Sequence, residues 1–199
     1  MAALLYTPAQ PARTWPEQEH WTYEDWAQLP SDGTIYEVID GVLYMSPPPS
    51  TSHETTSLNF AYLLVDYARK KNKGRVFTAP VGVRLPNQPV PFQPDLVFVP
   101  KARQHIIGKQ YIEGVPDLVV EVLSPSNWPY DRHEKLQVYQ AAGIPEYWIV
   151  DYRARTVEMF CLEEGEYVLQ QGKLKVGDTA VSRALPGFQV AVAEIFRDL

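Results

Sequence analysis

Two short segments of this chain carry acids where acids are costly to keep. Gln93-Pro-Asp-Leu-Val-Phe-Val99 and Pro116-Asp-Leu-Val-Val-Glu-Val-Leu-Ser-Pro-Ser126 each set a Pro-Asp pair ahead of a β-branched and aliphatic run, and the second run holds Glu121 in its middle. A carboxylate among Leu and Val is expensive to bury unless a cation, a hydrogen-bond donor or a metal compensates it. Asp95 and Glu121 therefore read as the start of a metal site on neighbouring strands. Two convergent carboxylates plus waters suit Mg²⁺ or Mn²⁺, hard ions that leave coordination positions open for phosphate oxygens. The plainer alternatives are a turn-capping Asp95 and a solvent-facing Glu121. Strand alternation sets Val119 and Glu121 on one face and Val120 and Val122 on the other.

Three further residues bear on the same site. Lys135 lies on a helix after the Glu121 strand, in line with Tyr139 and Ala142 and bordering the face that carries Leu136. From an apolar seam it can reach inward to a carboxylate or a water; the alternative is a snorkelling surface lysine paired with Asp131. Glu37 faces away from Tyr36 and Val38 and could add another acid, or simply follow ordinary strand alternation. His53, at a helix start after a Pro-rich loop, reads first as a solvent-exposed residue, with a substrate or metal contact as the alternative. His20, His105 and His133 share no metal-ligand spacing. No Gly-rich phosphate loop, zinc cysteine pattern or Gly-x-Ser-x-Gly elbow occurs.

Composition narrows the setting. The 199 residues, 45% hydrophobic, fit one α+β domain with a sizeable core. One cysteine, Cys161, excludes an internal disulfide and fits a reducing cytoplasm. No apolar run approaches the roughly 18 residues of a membrane span, and the N-terminus makes a poor signal peptide. A net charge of −6 matters most. Proteins that grip duplex DNA present a basic surface; this chain would need a local basic strip, a metal or a second subunit to do so.

These residues need elements to hold them. Residues 1–20, rich in Pro and Ala, read as an arm, and residues 21–199 as a single domain. Thr22 to Asp25 resembles a capping box that opens a short helix to Leu29. Ile35–Ile39 and Val42–Met45 flank Asp40-Gly41, a hairpin signal. After the stiff Ser46–Ser52 connector comes a helix with Leu58, Ala61, Tyr62 and Val65 on one face and Arg69, Lys70 and Lys71 at its C-terminal end. Two strands meet at Ala79-Pro80; then come the Asp95 strand, a basic irregular excursion from Lys101 to Gly114, and the Glu121 strand. A helix over Asp131–Ala142, stopped by Gly143 and Pro145, joins that strand to Glu146–Asp151. Such a crossover favours a parallel pair. Hairpin-like runs at 157–161 and 167–170 and a short helix near Val192 complete a mixed sheet flanked by helices.

The motifs also carry a family resemblance. Tyr36-Glu-Val-Ile-Asp-Gly-Val-Leu43, Pro47-Pro-Pro-Ser-Thr-Ser-His53, Pro94-Asp-Leu-Val-Phe98, Pro116 to Ser126, Asp131-Arg-His-Glu-Lys-Leu-Gln-Val-Tyr139 and Gly143-Ile-Pro-Glu-Tyr-Trp-Ile-Val-Asp151 resemble the Uma-two family, described as putative restriction endonucleases. The likeness runs over roughly residues 20 to 198. It implies a restriction-endonuclease-like mixed sheet of the PD-(D/E)xK superfamily. It also implies that Asp95 and Glu121 are the motif acids and metal ligands, and that Glu37 completes the site. Leu123 stands where the superfamily motif has lysine, and the resemblance implies that this role has moved to Lys135. His53 and Tyr139 become candidates for substrate contact. The expected activity is Mg²⁺- or Mn²⁺-dependent endonucleolytic hydrolysis of DNA. The alternative is a catalytically inactive nuclease-fold module, a dimeric scaffold or regulatory subunit, which the acidic pI favours. Trp15, Trp21, Tyr23 and Trp26 crowd the N-terminal region and suit a homodimer interface, with packing onto the chain's own sheet as the alternative.

Overall fold

The structure, a computed structural model, describes residues 15–30, 32–124 and 132–199. Its centre is a six-stranded sheet of β3 (Gly74–Thr78), β5 (Leu96–Pro100), β7 (Leu118–Val122), β8 (Glu146–Asp151), β9 (Thr156–Glu163) and β10 (Glu166–Lys175), in the order β10-β9-β8-β7-β5-β3. The β7–β8 pair is parallel and the other pairs are antiparallel. The helix α3 (Glu134–Ala142) makes the crossover that the parallel pair requires. Asp131 and the motif residues Pro125 and Ser126 lie outside the described residues.

Both faces of the sheet are covered, which is why its central strands read as near-continuous apolar runs. One face sets Leu96, Phe98, Val120, Val122 and Trp148 against Phe60 and Leu64 of α2 (Thr51–Lys70) and against Phe188 and Ile195. The other sets Val97, Val119, Leu123, Tyr147 and Ile149 against Val138 and Tyr139 of α3. The face of α2 differs from the sequence expectation. Phe60, Ala61, Leu64, Tyr67 and Ala68 turn inward, while Leu58 and Tyr62 are exposed. Apolar residues lie on two sides of this helix, so periodicity alone is ambiguous, and the sheet takes the side with Phe60 and Leu64.

The smaller elements frame one end of the sheet. β1 (Ile35–Ile39) and β2 (Val42–Ser46) form a separate hairpin. Asp40 and Gly41 at its tip have φ of +49° and +77°, as a tight hairpin turn demands. Gly41 is also needed for space, since a Cβ there would stand 2.4 Å from the Glu19 carbonyl oxygen. The described part of the arm lies along this hairpin: the Gln18 amide accepts from the Leu43 N–H at 2.8 Å and donates to its carbonyl at 3.3 Å. Ahead of the hairpin, α1 (Tyr23–Trp26) begins with the anticipated Thr22–Asp25 capping box. β4 (Gly82–Arg84) pairs in parallel with β6 (Tyr111–Glu113), so the 101–114 excursion contains a strand as well as a 3₁₀ helix at Lys101–Ile106. β11 (Thr179–Val181) and β12 (Gln189–Ala191), which the sequence pattern did not reveal, lead into α4 (Val192–Ile195). Among the described residues no helix is long and apolar enough to cross a membrane.

Candidate active site

The register of β5 against β7 pairs Leu96 with Val120 and Val97 with Val119. One step beyond the last pair, the same register sets Asp95 opposite Glu121, where side chains of neighbouring strands meet. The Asp95 carboxylate is fixed by the β7 backbone: its Oδ2 accepts the Val122 N–H at 2.7 Å. His53 Nε2 stands 3.3 Å from the same oxygen. His53 is therefore buried, not the exposed helix-start residue that the sequence suggested. The Ser50 hydroxyl caps α2 by accepting the His53 N–H at 3.2 Å, and this turns the first helical residues toward the sheet edge. Burial opposes charging of the imidazole, but the hydrogen bond and charge of Asp95 outweigh it and hold the pKa above the ordinary histidine value.

Glu121 faces α3. Lys135 Nζ lies 2.9 Å from its Oε1 and 3.0 Å from Glu37 Oε2, with only 2% to 4% of each of the three residues exposed. The alternative of a snorkelling surface lysine is thereby excluded. Glu37 is held from its other side by the Gln93 N–H, which donates to Oε1 at 3.0 Å. Leu123 packs in the core against Tyr139 and Ile149, so the strand position that would carry a lysine is apolar and the ammonium arrives from the helix instead.

Tyr139 takes a different place from the one expected of a substrate contact. Its ring is fully buried between Phe92 and Tyr147, behind Glu121, and its hydroxyl donates to Glu121 Oε1 at 2.7 Å. Burial and the adjoining Glu121 charge push the phenol well above its usual pKa, so it remains a donor. It supports the acid and does not line the cleft.

Glu37, His53, Asp95, Glu121 and Lys135 together line a cleft of about 80 Å³, with Ser124 and Glu54 at its edge. The four lining carboxylates, Glu37, Glu54, Asp95 and Glu121, against one ammonium leave a formal charge of −3 with His53 neutral, or −2 with it protonated. Buried negative charge in excess calls for a cation. Two features fit a divalent ion. Among the described residues no donor reaches Asp95 Oδ1, and the cleft volume accommodates an ion with a few waters. Among the described residues no three His, Cys, Asp or Glu side chains cluster tightly enough to hold a metal by themselves. The site therefore resembles those in which one or two carboxylates share the ion with substrate phosphate. Sequence reasoning did not single out Ser124, half-buried within the Pro116–Ser126 motif, or Glu54, exposed in the first turn of α2.

Residues 22–193 match the Uma2 family, described as "putative restriction endonuclease". This chain is a member of that family. Among solved structures, a putative nuclease belonging to DUF820 from Anabaena variabilis ATCC 29413 matches the Uma2 chain with a TM-score of 0.71 at 16% identity. The match covers 91% of this chain and 98% of the other. No curated protein matches this Uma2 member. Its mixed sheet flanked by helices is the restriction-endonuclease-like architecture.

Proposed function

We infer that this Uma2 protein is a metal-dependent endonuclease that hydrolyses DNA phosphodiester bonds. The observation that carries the reading is the Lys135 ammonium, brought from α3 to bridge Glu121 and Glu37 beside Asp95. Asp95 and Glu121 would hold Mg²⁺ or Mn²⁺. Bound there, the ion supplies Lewis acidity toward a phosphate oxygen and acidifies a water. Lys135 orients the attacking water and offers its positive charge to the phosphoryl oxygens as negative charge builds on them. Glu37 fixes Lys135 and can take a water by hydrogen bond. His53 holds Asp95 and, when protonated, can donate to substrate phosphate. Tyr139 keeps Glu121 oriented. Trp21 is buried with Val38 and Val90, and Tyr23 and Trp26 pack against that cluster, which favours packing onto the chain's own hairpin over a homodimer interface; a sedimentation mass at micromolar concentration checks the homodimer. The lone buried cysteine supports a cytoplasmic setting.

The test is cleavage of supercoiled, linear duplex and single-stranded DNA with and without Mn²⁺, for wild type and Glu121→Gln. Mn²⁺-dependent cleavage that Glu121→Gln abolishes supports the reading. No cleavage of any form leaves the non-catalytic module, the reading that the acidic pI favours.

A further inference from the structure

The carboxylate cleft is too small for a nucleotide. At about 80 Å³ it falls well below the roughly 300–1,000 Å³ typical of small-molecule sites. Beside it lies a groove of about 680 Å³. Ile35, Pro49, Glu54, Ala79 and Gln93 line both, so a chain passing from one to the other stays on continuous surface.

The groove is walled by the rings of Tyr23, Trp26, Tyr36 and Tyr111, each half-buried. Their orientations are set before any ligand arrives. The Trp26 indole N–H donates to the Tyr36 carbonyl at 2.7 Å. Arg84 stands 5.1 Å from the Tyr23 ring centre and 4.6 Å from that of Tyr111, bracketed by the two, and donates to the Tyr23 hydroxyl at 3.2 Å. Tyr111 also lies flush on Gly82, where a Cβ would meet its ring at 2.7 Å. Rings fixed in this way lose little freedom when a partner stacks on them. Among the described residues that line the groove, Glu54 alone is charged. Phosphate-backbone grip needs Lys and Arg, whereas stacking on aromatic rings serves any base and needs no net charge. Gln93, Gln110 and Thr34 add amide and hydroxyl groups suited to base edges.

We propose that this groove is a subsite for the unpaired bases of a DNA strand whose phosphate is presented to Asp95 and Glu121, so that the substrate is single-stranded. The proposal rests on the nuclease reading for its second half only. A stacked duplex hides its ring faces and would leave the groove unused. An acidic protein with an aromatic, nearly uncharged channel is suited to a strand already open.

Binding of a short fluorescein-labelled oligothymidylate, and of the blunt duplex formed with its complement, is measured by anisotropy in EDTA, which separates affinity from cleavage. The single strand is expected to bind at least about tenfold more tightly than the duplex. Trp26→Ala should weaken it by about tenfold or more, and Trp26→Phe, which keeps a ring face, should recover most of the loss. Should Trp26→Ala fail to fold, Ala27→Glu decides, because Ala27 is an exposed groove residue and a carboxylate there repels the strand without opening the core. Equal or tighter duplex binding, no binding of either probe, or a folded Ala27→Glu that binds as wild type would each overturn the proposal. Cleavage with Mn²⁺ is followed in parallel. Glu121-dependent cleavage with equal affinities removes the groove and spares the nuclease. Groove-dependent binding without cleavage of any DNA does the reverse.

Discussion

Two buried acids lie on adjacent central strands of this sheet, Glu146 at the start of β8 and Glu121 near the end of β7, and their surroundings differ in kind. Glu146 on β8 is fully buried, and neutral donors surround it: Trp148 Nε1 at 2.6 Å, the Ser182 hydroxyl at 2.6 Å, and the N–H groups of Arg183 and Ala184 at 3.1 and 2.7 Å. They come largely from one loop, which the carboxylate ties to the strand. Glu121 on β7 is compensated by an ammonium and a phenol and borders an open cleft. The first arrangement is closed and complete; the second keeps excess negative charge next to empty volume. A buried acid alone is therefore no sign of chemistry. The kind of donor and the presence of space beside it separate a structural carboxylate from a functional one.

Activity should divide the two most sharply. Lys135→Met, which keeps the bulk of the stem, is expected to lower Mn²⁺-dependent cleavage by about 10²-fold or more. Glu146→Gln should leave the rate per folded molecule near wild type. Single-turnover assays on both variants check this, and similar losses would erase the distinction. Stability should divide them the other way. Glu146→Ala strands several buried donors and is expected to cost about 3 kcal/mol or more in urea unfolding, each unmet group contributing about 1–3 kcal/mol. Lys135→Ala also costs stability, about 3–5 kcal/mol, because it leaves two buried carboxylates facing one another. That is why Lys135→Met needs its melting curve beside its rate.

Cation linkage gives a smaller effect. Mn²⁺ at about tenfold over its Kd should raise Tm by a few degrees. Glu121→Gln should lose most of that rise and Glu146→Gln should keep it; equal rises in all three would place the ion elsewhere. The smallest effect is read at Cys161, which faces Glu146 across the β8–β9 pair. Burial, and then the Glu146 charge, push its thiol up to about 12. The folded state thus holds this proton through the window from about pH 9 to 12, where the unfolded chain releases it, so stability falls as pH rises there. Native alkylation should be slow through that window. Glu146→Gln should move its onset to lower pH, and an unchanged onset would discount the Glu146 charge.

Much of the site was legible because burying charge among aliphatic residues is costly enough to show in the sequence. Asp95 and Glu121 stand out beside apolar runs, whereas Lys135 follows Asp131, Arg132, His133 and Glu134 and is marked only by its place at the apolar seam of its helix and by the family resemblance; the β7–α3–β8 crossover explains how a lysine fourteen positions on returns to Glu121. His53 was misread because helix starts are commonly solvent-facing; only the direction of α2 shows otherwise. Tyr139 was placed near the right group for the wrong purpose, since periodicity gives a face and not a depth. The α2 face was ambiguous for the same reason. β11 and β12, three residues each, are too short for alternation to declare itself. The pairing of β4 with β6 depends on contacts far apart in sequence.

The β1–β2 hairpin shares no ladder with the main sheet. Two-stranded hairpins are marginal on their own, so this one depends on what grips it from outside. Its clasp is the stretch ahead of α1: Gln18 paired to Leu43, Glu19 pressed against Gly41, and Trp21 seated with Val38 and Val90. Glu37 rides on the hairpin. Part of the alignment of Lys135, the part that Glu37 supplies, thus rests on a tether remote from it along the chain, and trimming that tether would act as a dimmer on the cleft without touching any group inside it.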